Sequence, residues 1–347
     1  MKKSLGEIMG DPRIWEMSEE EKQRGRQRIM EIAKREMESG MLTYNTEDDG
    51  STKDSGAWER PMCHSFEITG KALYTPKGAA REYGRIGCNF YTGCPHECQY
   101  CYLKRGAPSK QLGGTEVRLK KCFKDEKHAL QVFRNEVMKH RDRLRETGVF
   151  FSFTTDPMIP ETIEPTMQSL LFLQDMGIPS YILTKNADFI DYELFHTYMI
   201  GLNVRGLLHF GFTLTGRDDM EPKASLNADR IATMKRLKLH FGCHTWASIE
   251  PVIDWKSAER VVLASIPYCD HYKIGLRSGV KKDYYNHAET FERVSFMVEV
   301  ITRAYRDVYL KQSVRTFIGN DYNVTLEQFN NLVARTVDMD GKPFLVR

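Results

Sequence analysis

The chain has 347 residues, of which 41% are hydrophobic and 28% are charged. This composition is typical of a globular protein and excludes a disordered or fibrous chain. No stretch approaches the roughly 18 consecutive apolar residues that a membrane span needs. Glu7 and Asp11 lie where a signal peptide would have its apolar run, so we expect a cytoplasmic protein whose cysteines form no disulfide framework.

The net charge is only +3, but the basic residues are unevenly spread. Residues 103–147 hold 13 Lys and Arg against 6 Asp and Glu. Much of this excess lies on a predicted helix over Lys120–Arg145. Such a segment indicates either a solvated helix face or a contact with a polyanion such as nucleic acid.

The first 60 residues differ from the rest in their sequence pattern. Ser18 followed by Glu21, with Gly40 beyond, predicts a capped helix over residues 19–39. Residues 43–57 are rich in Asp, Gly, Ser and Thr and show no periodicity, which predicts a linker or loop. We therefore expect an N-terminal helical extension and linker over residues 1–60.

From about residue 80, short apolar runs alternate with longer amphipathic stretches. The predicted strands are Gly148–Thr155, Pro179–Thr184, Leu207–Thr215, Cys243–Ile249 and His271–Leu276. The predicted helices lie near residues 161–176, 188–203, 225–241 and 256–265. This rhythm predicts an α/β fold whose parallel sheet curls into a barrel over residues 61–305, followed by a C-terminal extension over residues 306–347.

The alternation within these strands predicts the contents of the barrel. In residues 209–215, Phe210, Phe212 and Leu214 share one face while polar and small residues share the other. The same separation holds for residues 244–250 and 271–277. We expect the apolar face to pack against helices and the polar face to line an interior that holds a ligand.

The most specific feature is a C-x₃-C-x₂-C motif formed by Cys94, Cys98 and Cys101. A structural zinc site usually closes with four ligands and often uses paired C-x₂-C units, and no second such unit exists here. Three soft thiolates suit an iron–sulfur cluster that leaves one iron without a protein ligand. That open iron can bind a small molecule.

The motif, with the aromatic Tyr100 before its third cysteine, resembles the radical S-adenosylmethionine (radical SAM) superfamily. The phrases Asn89–Cys94, Thr154–Pro157, Leu183–Lys185 and Phe212–Thr215 are similar to its spore photoproduct lyase-related branch. The resemblance spans residues 83–280 and implies a partial (βα)₆ barrel of the TIM type, with the cysteines on the loop after its first strand. It also implies a 4Fe-4S cluster, S-adenosylmethionine as cofactor, and an electron donor such as flavodoxin or ferredoxin.

The chemistry implied by the resemblance is reductive cleavage of S-adenosylmethionine to a 5′-deoxyadenosyl radical, which takes a hydrogen atom from the substrate. Tyr100 is expected near the adenine, Thr155 and Asp156 near the methionine part, and Lys185 against the cofactor carboxylate. A hydroxyl at Thr213 or Thr215 matches a cofactor contact of the family. Ser248 and Glu250 occupy the equivalent end of the next predicted strand, where Glu250 is expected to be a polar ligand of the cofactor or of the substrate. As strand-end turn signals, Asp156-Pro157 and Glu250-Pro251 have a purely structural interpretation as well.

The substrate stays open between a nucleic acid or nucleotide and a protein or peptide. Lys273 and Arg277 on the last predicted strand suit an anionic group on the substrate, or else an ion pair with Glu250. In spore photoproduct lyase a cysteine on the second strand returns a hydrogen atom to the product. Residues 150–155 contain no cysteine, which argues against that specific activity.

Two alternatives to a radical enzyme remain at this point. One is a nucleic-acid-binding protein whose cysteines hold a structural zinc, with His96 or Cys88 as a makeshift fourth ligand. The other is an inactive relative that binds S-adenosylmethionine without cleaving it.

Overall fold

A computed structural model describes residues 67–105, 109–112, 114–202, 206–281, 283–320, 324–339 and 341–342. The predicted helix over residues 19–39 and the predicted linker over residues 43–57 lie outside these residues. Within the described helices, none is long and apolar enough to cross a membrane.

The described strands are β1 (Leu73–Tyr74), β2 (Gly87–Cys88), β3 (Tyr91–Thr92), β4 (Arg118–Leu119), β5 (Val149–Phe151), β6 (Ser180–Thr184), β7 (Leu208–Thr213), β8 (His244–Val252), β9 (His271–Leu276) and β10 (Asp307–Leu310). The described α-helices are α1 (Ser109–Leu112), α2 (Glu126–Thr147), α3 (Ile163–Asp175), α4 (Glu193–Gly201), α5 (Asn227–Phe241), α6 (Trp255–Ser265), α7 (His287–Arg303), α8 (Gln312–Gly319) and α9 (Leu326–Val333).

The main sheet has eight strands in the order β1-β2-β5-β6-β7-β8-β9-β10. Every neighbouring pair in it is parallel except β1 with β2. Helices connect consecutive parallel strands, as such crossovers require. The separate antiparallel pair of β3 with β4 flanks the segment that carries the three cysteines.

Both faces of the parallel strands are buried, and β7 shows how the two faces divide. Phe210 and Phe212 are fully buried on the helix side, where the Phe210 ring lies 5.8 Å from that of Phe189 and 6.1 Å from that of Phe195. On the other side, a Cβ at Gly211 would lie 2.1 Å from the indole of Trp246. The predicted division of this strand into a helix-facing apolar side and an inward side is confirmed.

The sheet is strongly curved. The rings of Phe150 on β5 and Trp246 on β8 lie 6.4 Å apart although two strands separate them. Adjacent strands are about 4.8 Å apart, so a flat sheet would hold these residues roughly 14 Å from each other. The curvature makes the sheet an open, barrel-like wall whose described edge strands β1 and β10 do not pair with each other.

Apart from shifted ends, of which the largest among the strands is at β5, which stops at Phe151 and not at Thr155, the predicted elements differ from the observed ones in two ways. The predicted helix over residues 188–203 is a 3₁₀ turn over Asp188–Asp191 followed by α4. The sheet also continues past residue 305, because β10 pairs in parallel with β9 through Val308 and Tyr272. Part of the segment expected to be an extension therefore belongs to the same sheet as the barrel strands.

Candidate functional site

The carboxyl ends of the parallel strands open onto one cavity of about 480 Å³. Curvature brings these ends together, which is where barrels of this kind carry their ligand sites. The predicted site residues that line it are Cys94, Cys98, Tyr100, Cys101, Thr155, Asp156, Lys185, Thr213, Glu250 and Arg277. Most of the residues singled out from the sequence thus line one cavity.

The cysteine loop, defined here as residues 93–102, forms one side of this cavity. It begins at Gly93, whose φ of 84° is open to glycine and strained for other residues. A Cβ at Gly93 would lie 2.0 Å from the carbonyl oxygen of Glu116. The next residue, Cys94, donates its backbone N–H to the carbonyl of Gly114 at 2.9 Å. Backbone packing therefore fixes where the first thiol points into the cavity.

Burial controls the protonation of the thiols. It raises the pKa of Cys94 to about 12, with the nearby Asp156 charge acting in the same direction. Burial also raises the pKa of Cys98. Both are protonated at neutral pH without a metal, so a metal that binds here must displace those protons.

Both oxygens of the Asp156 carboxylate accept hydrogen bonds from the protein. It accepts hydrogen bonds from His96 Nε2 at 2.8 Å, Met158 N at 2.9 Å, Thr184 Oγ1 at 2.7 Å and Lys185 N at 2.7 Å. Burial alone would raise its pKa, but these bonds and the His96 ring outweigh burial and lower the pKa to about 2. The sequence predicts a cofactor contact for Asp156, whereas the contacts described join the cysteine loop to the ends of two strands.

Two neighbouring groups on the wall have no such partners. The Thr155 hydroxyl is buried and has no hydrogen-bond partner among the described residues. The Lys185 Nζ lies 5.7 Å from the centre of the Tyr100 ring, and no described carboxylate forms an ion pair with it. Burial acts to lower the pKa of Lys185, but negative charge on Cys98 as a thiolate and on Glu221 outweighs it and raises that pKa. A hydroxyl and an ammonium are therefore available to a ligand beside the cysteines.

A polar network closes the opposite wall. Glu250 accepts hydrogen bonds from Lys311 Nζ at 2.5 Å and from the Tyr83 hydroxyl. The Tyr83 hydroxyl also lies 2.8 Å from Ser248 Oγ. Ser248 is therefore behind Tyr83 and not on the cavity wall, although the sequence predicts a ligand contact for it. Sequence reasoning missed Lys311 and Tyr83, which do line the cavity.

The two predicted substrate-binding cations lie in different places. Lys273 is buried behind the wall and donates to the backbone carbonyls of Glu82 at 2.7 Å and Tyr83 at 3.2 Å. It is therefore engaged with the protein and does not line the cavity. Arg277 does line the cavity, with its guanidinium 5.9 Å from the Tyr284 ring centre. Its Nε is buried without a partner among the described residues.

The two threonines predicted from β7 also separate. Thr213 lines the cavity. Thr215 is buried beyond the end of the strand, and its Oγ1 accepts from the backbone N–H of Arg217 at 3.2 Å. Thr215 therefore shapes a turn and does not reach the cavity.

Comparisons with known proteins give little beyond this geometry. No family model matches the chain, and no curated protein matches it. Among solved structures it is similar to Streptococcus suis SuiB bound to S-adenosylmethionine, with 12% identity and a TM-score of 0.44 over 71% of this chain and 53% of that chain. It is also similar to SuiB bound to the precursor peptide SuiA, with the same identity and TM-score over 89% and 69%. The chain spans about half the length of the first of these, and likenesses this weak assign neither a family nor an activity.

Proposed function

We propose that the protein is a radical SAM enzyme whose Cys94, Cys98 and Cys101 hold a 4Fe-4S cluster. The observation that carries this proposal is the placement of all three cysteines on one cavity, beside a buried hydroxyl without a hydrogen-bond partner and an ammonium that forms no ion pair among the described residues. When bound, the cluster would supply the electron that cleaves S-adenosylmethionine. The residues of the chain hold the cofactor, orient it and exclude water.

The free groups on the wall suit the amino-acid end of S-adenosylmethionine. Lys185 would pair with its carboxylate, because a half-buried ammonium on a cavity wall is stabilised by an anionic partner. Thr155 and Thr213 would supply hydroxyls to its polar atoms. Asp156 would position the cysteine loop without touching the cofactor, since its oxygens already accept four hydrogen bonds from the protein.

The zinc alternative is less well supported. Within the described part of the chain, no three His, Cys, Asp or Glu side chains converge closely enough to hold one metal ion. A zinc site needs its ligands to converge on one atom, whereas a cluster takes one thiolate per iron. His96 is also occupied, because its two ring nitrogens lie 2.8 Å from Asp156 Oδ2 and 3.2 Å from the carbonyl of Lys223.

For the substrate we propose an anionic molecule, with a nucleotide or nucleic acid as the candidate. The carboxylates on the wall are all paired, Asp156 with His96, Glu250 with Lys311 and Glu97 with Lys223. Arg277 lines the cavity without a described carboxylate partner, as do the exposed Lys77 and Lys104. This surplus of cations favours phosphate or carboxylate groups.

The hydrogen-atom donor of spore photoproduct lyase has no counterpart among the described residues. Cys88, Cys243 and Cys269 are buried in the hydrophobic core and do not line the cavity. We therefore propose a radical reaction other than that of spore photoproduct lyase. Its reductant would be a flavodoxin or ferredoxin of the cytoplasm.

Visible absorption and iron content of anaerobically purified protein test the proposal. We expect a brown protein with about four irons per chain. Cys98→Ala should lose the colour, while Cys122→Ala, at an exposed position, should keep it. A colourless wild-type protein that holds one zinc would contradict the proposal.

A further inference from the structure

A short segment after β7 braces the cysteine loop. We call residues 218–223 the brace. The backbone N–H of Gln99 in the cysteine loop donates to the carbonyl of Met220 in the brace at 2.9 Å. At its other end, the backbone N–H of Lys223 donates to the carbonyl of His96 at 3.3 Å, and the His96 ring lies 3.2 Å from the Lys223 carbonyl. The loop is therefore held along its length by a segment more than a hundred residues away in sequence.

Glu221 is the centre of the brace. It accepts a hydrogen bond from the hydroxyl of Tyr100, which stands between the second and third cysteines. Its other oxygen lies 2.8 Å from Nη1 of Arg230, and both side chains of this ion pair are fully buried. Arg230 Nη1 also donates to the carbonyl of Thr213 at 2.8 Å, which ties the pair to the end of β7.

Burying the ion pair of Glu221 with Arg230 costs desolvation free energy, which only well-placed hydrogen bonds offset. A buried ion pair often stabilises a fold no more than apolar residues of the same size would. Two nitrogens of Arg230, Nε and Nη2, are also buried without partners in the described residues. What the pair does achieve is a fixed anchor for one particular hydroxyl, that of Tyr100.

The cysteine loop needs such an anchor. It is mostly irregular and contains Glu97 at a φ of 53°, a conformation that non-glycine residues seldom adopt. Cys98 and Tyr100 pack together with Ile253 in a small cluster separate from the main core, and Met220 of the brace covers it. Without the brace, residues 97–100 would lose the hydrogen bonds described between them and the protein outside the cysteine loop.

We propose that Glu221 is a positioning residue that, through Tyr100, holds the cysteine loop in its ligand-binding conformation before any metal is present. The cluster as the ligand rests on the proposed function, but the order of the metal-free loop does not. Binding sites are most effective when the supporting residues lock the ligands in advance.

Amide hydrogen exchange of the metal-free protein tests this directly. Tyr100→Phe removes only the hydroxyl that reaches Glu221. We expect exchange of the amides in residues 96–101 to rise about tenfold, the effect of losing one buried hydrogen bond from a locally opening segment. The matched control is Tyr272→Phe, which removes a buried hydroxyl 2.9 Å from Ser265 Oγ, away from the cavity. It should leave exchange of the loop unchanged.

A second variant, at an exposed position, keeps the proposal testable if Tyr100→Phe fails to fold. Gln99→Ala removes an exposed side chain that donates to the carbonyl of Asp219 at 3.2 Å. We expect a smaller rise in exchange of the same amides, at an unchanged melting temperature. Unchanged loop exchange in both variants, or equal changes in Tyr100→Phe and Tyr272→Phe, would overturn the proposal.

Reconstitution with iron and sulfide separates this inference from the proposed function. Tyr100→Phe should take up iron more slowly than wild type and show an altered electron paramagnetic resonance spectrum after reduction, while Tyr272→Phe should match wild type. If wild type takes up no cluster but the exchange result holds, the proposed function fails and the positioning role of Glu221 stands. If wild type takes up a cluster and loop exchange is unaffected by Tyr100→Phe, the positioning role fails alone.

Discussion

The carboxylate of Asp156 lies 2.8 Å from Nε2 of His96 and thereby joins the segment after β5 to the cysteine loop. Glu221 holds the same loop from the other side through Tyr100. Each carboxylate is buried. The loop is thus fixed between two buried anions that come from different strand ends, and this fixes where the three thiols meet the cavity.

Asp156→Asn should destabilise the metal-free protein in a pH-dependent way. The folded protein lowers the pKa of Asp156 from 3.8 to about 2. Its ionised form therefore stabilises the fold by about 2 kcal/mol above pH 4, and this contribution is lost as the pH falls from about 4 to 2. Urea unfolding of wild type and variant between pH 6 and pH 2.5 measures the difference. A difference that stays constant, or grows as the pH falls, would contradict this account.

Gly93→Ala should prevent cluster binding. The new Cβ would meet the carbonyl of Glu116 at 2.0 Å, so backbone must shift at the start of the cysteine loop. Gly242→Ala is the matched control, because Gly242 has a φ of 66° and no atom within 4 Å of the added Cβ. The control should lose only about 1 kcal/mol of folding stability, because alanine is strained at this left-handed position, and should keep its iron. Iron content per chain distinguishes the two variants, and equal content would refute the steric argument.

Lys185→Met should weaken the binding of S-adenosylmethionine to the iron-loaded protein by roughly 10- to 100-fold. The reason is the loss of a charge-assisted hydrogen bond in a buried site. Equilibrium binding measures the change, with Lys235→Met on the exposed face of α5 as control. An unchanged dissociation constant for Lys185→Met would remove Lys185 from the cofactor site.

Lys311→Met should destabilise the fold by roughly 3 kcal/mol or more, because it leaves Glu250 without its cation. Lys311→Met/Glu250→Gln should be less destabilised than the sum of the two single variants, since the double change removes both charges. Unfolding free energies of the four proteins give the coupling between them. Additive effects would show that the contact of Lys311 with Glu250 contributes nothing beyond its separate parts.

Local pattern was sufficient to predict strands β5 to β9 and the two faces of β7. The alternation through Phe210, Phe212 and Leu214 placed the helix-facing side of β7 correctly. The C-x₃-C-x₂-C spacing likewise singled out three residues that share one wall.

Contacts between segments that are distant in sequence could not be predicted from local alternation or motif spacing. Glu221 reaches Tyr100 only because the loop after β7 folds back over the cysteine loop. Lys311 directly follows the short strand β10, and alternation along residues 308–311 is too brief to show which side it faces. Lys273 was placed on the correct strand face, but nothing local shows that Glu82 and Tyr83 supply the carbonyls that occupy it.

The most direct test of the central claim is the release of 5′-deoxyadenosine. Iron-loaded protein is incubated without oxygen with dithionite and S-adenosylmethionine, and the nucleoside is quantified by chromatography. The account predicts that wild type and Cys122→Ala form it and that Cys98→Ala does not. An iron-loaded wild type that binds S-adenosylmethionine and releases no 5′-deoxyadenosine would contradict the claim and leave a protein that only binds the cofactor.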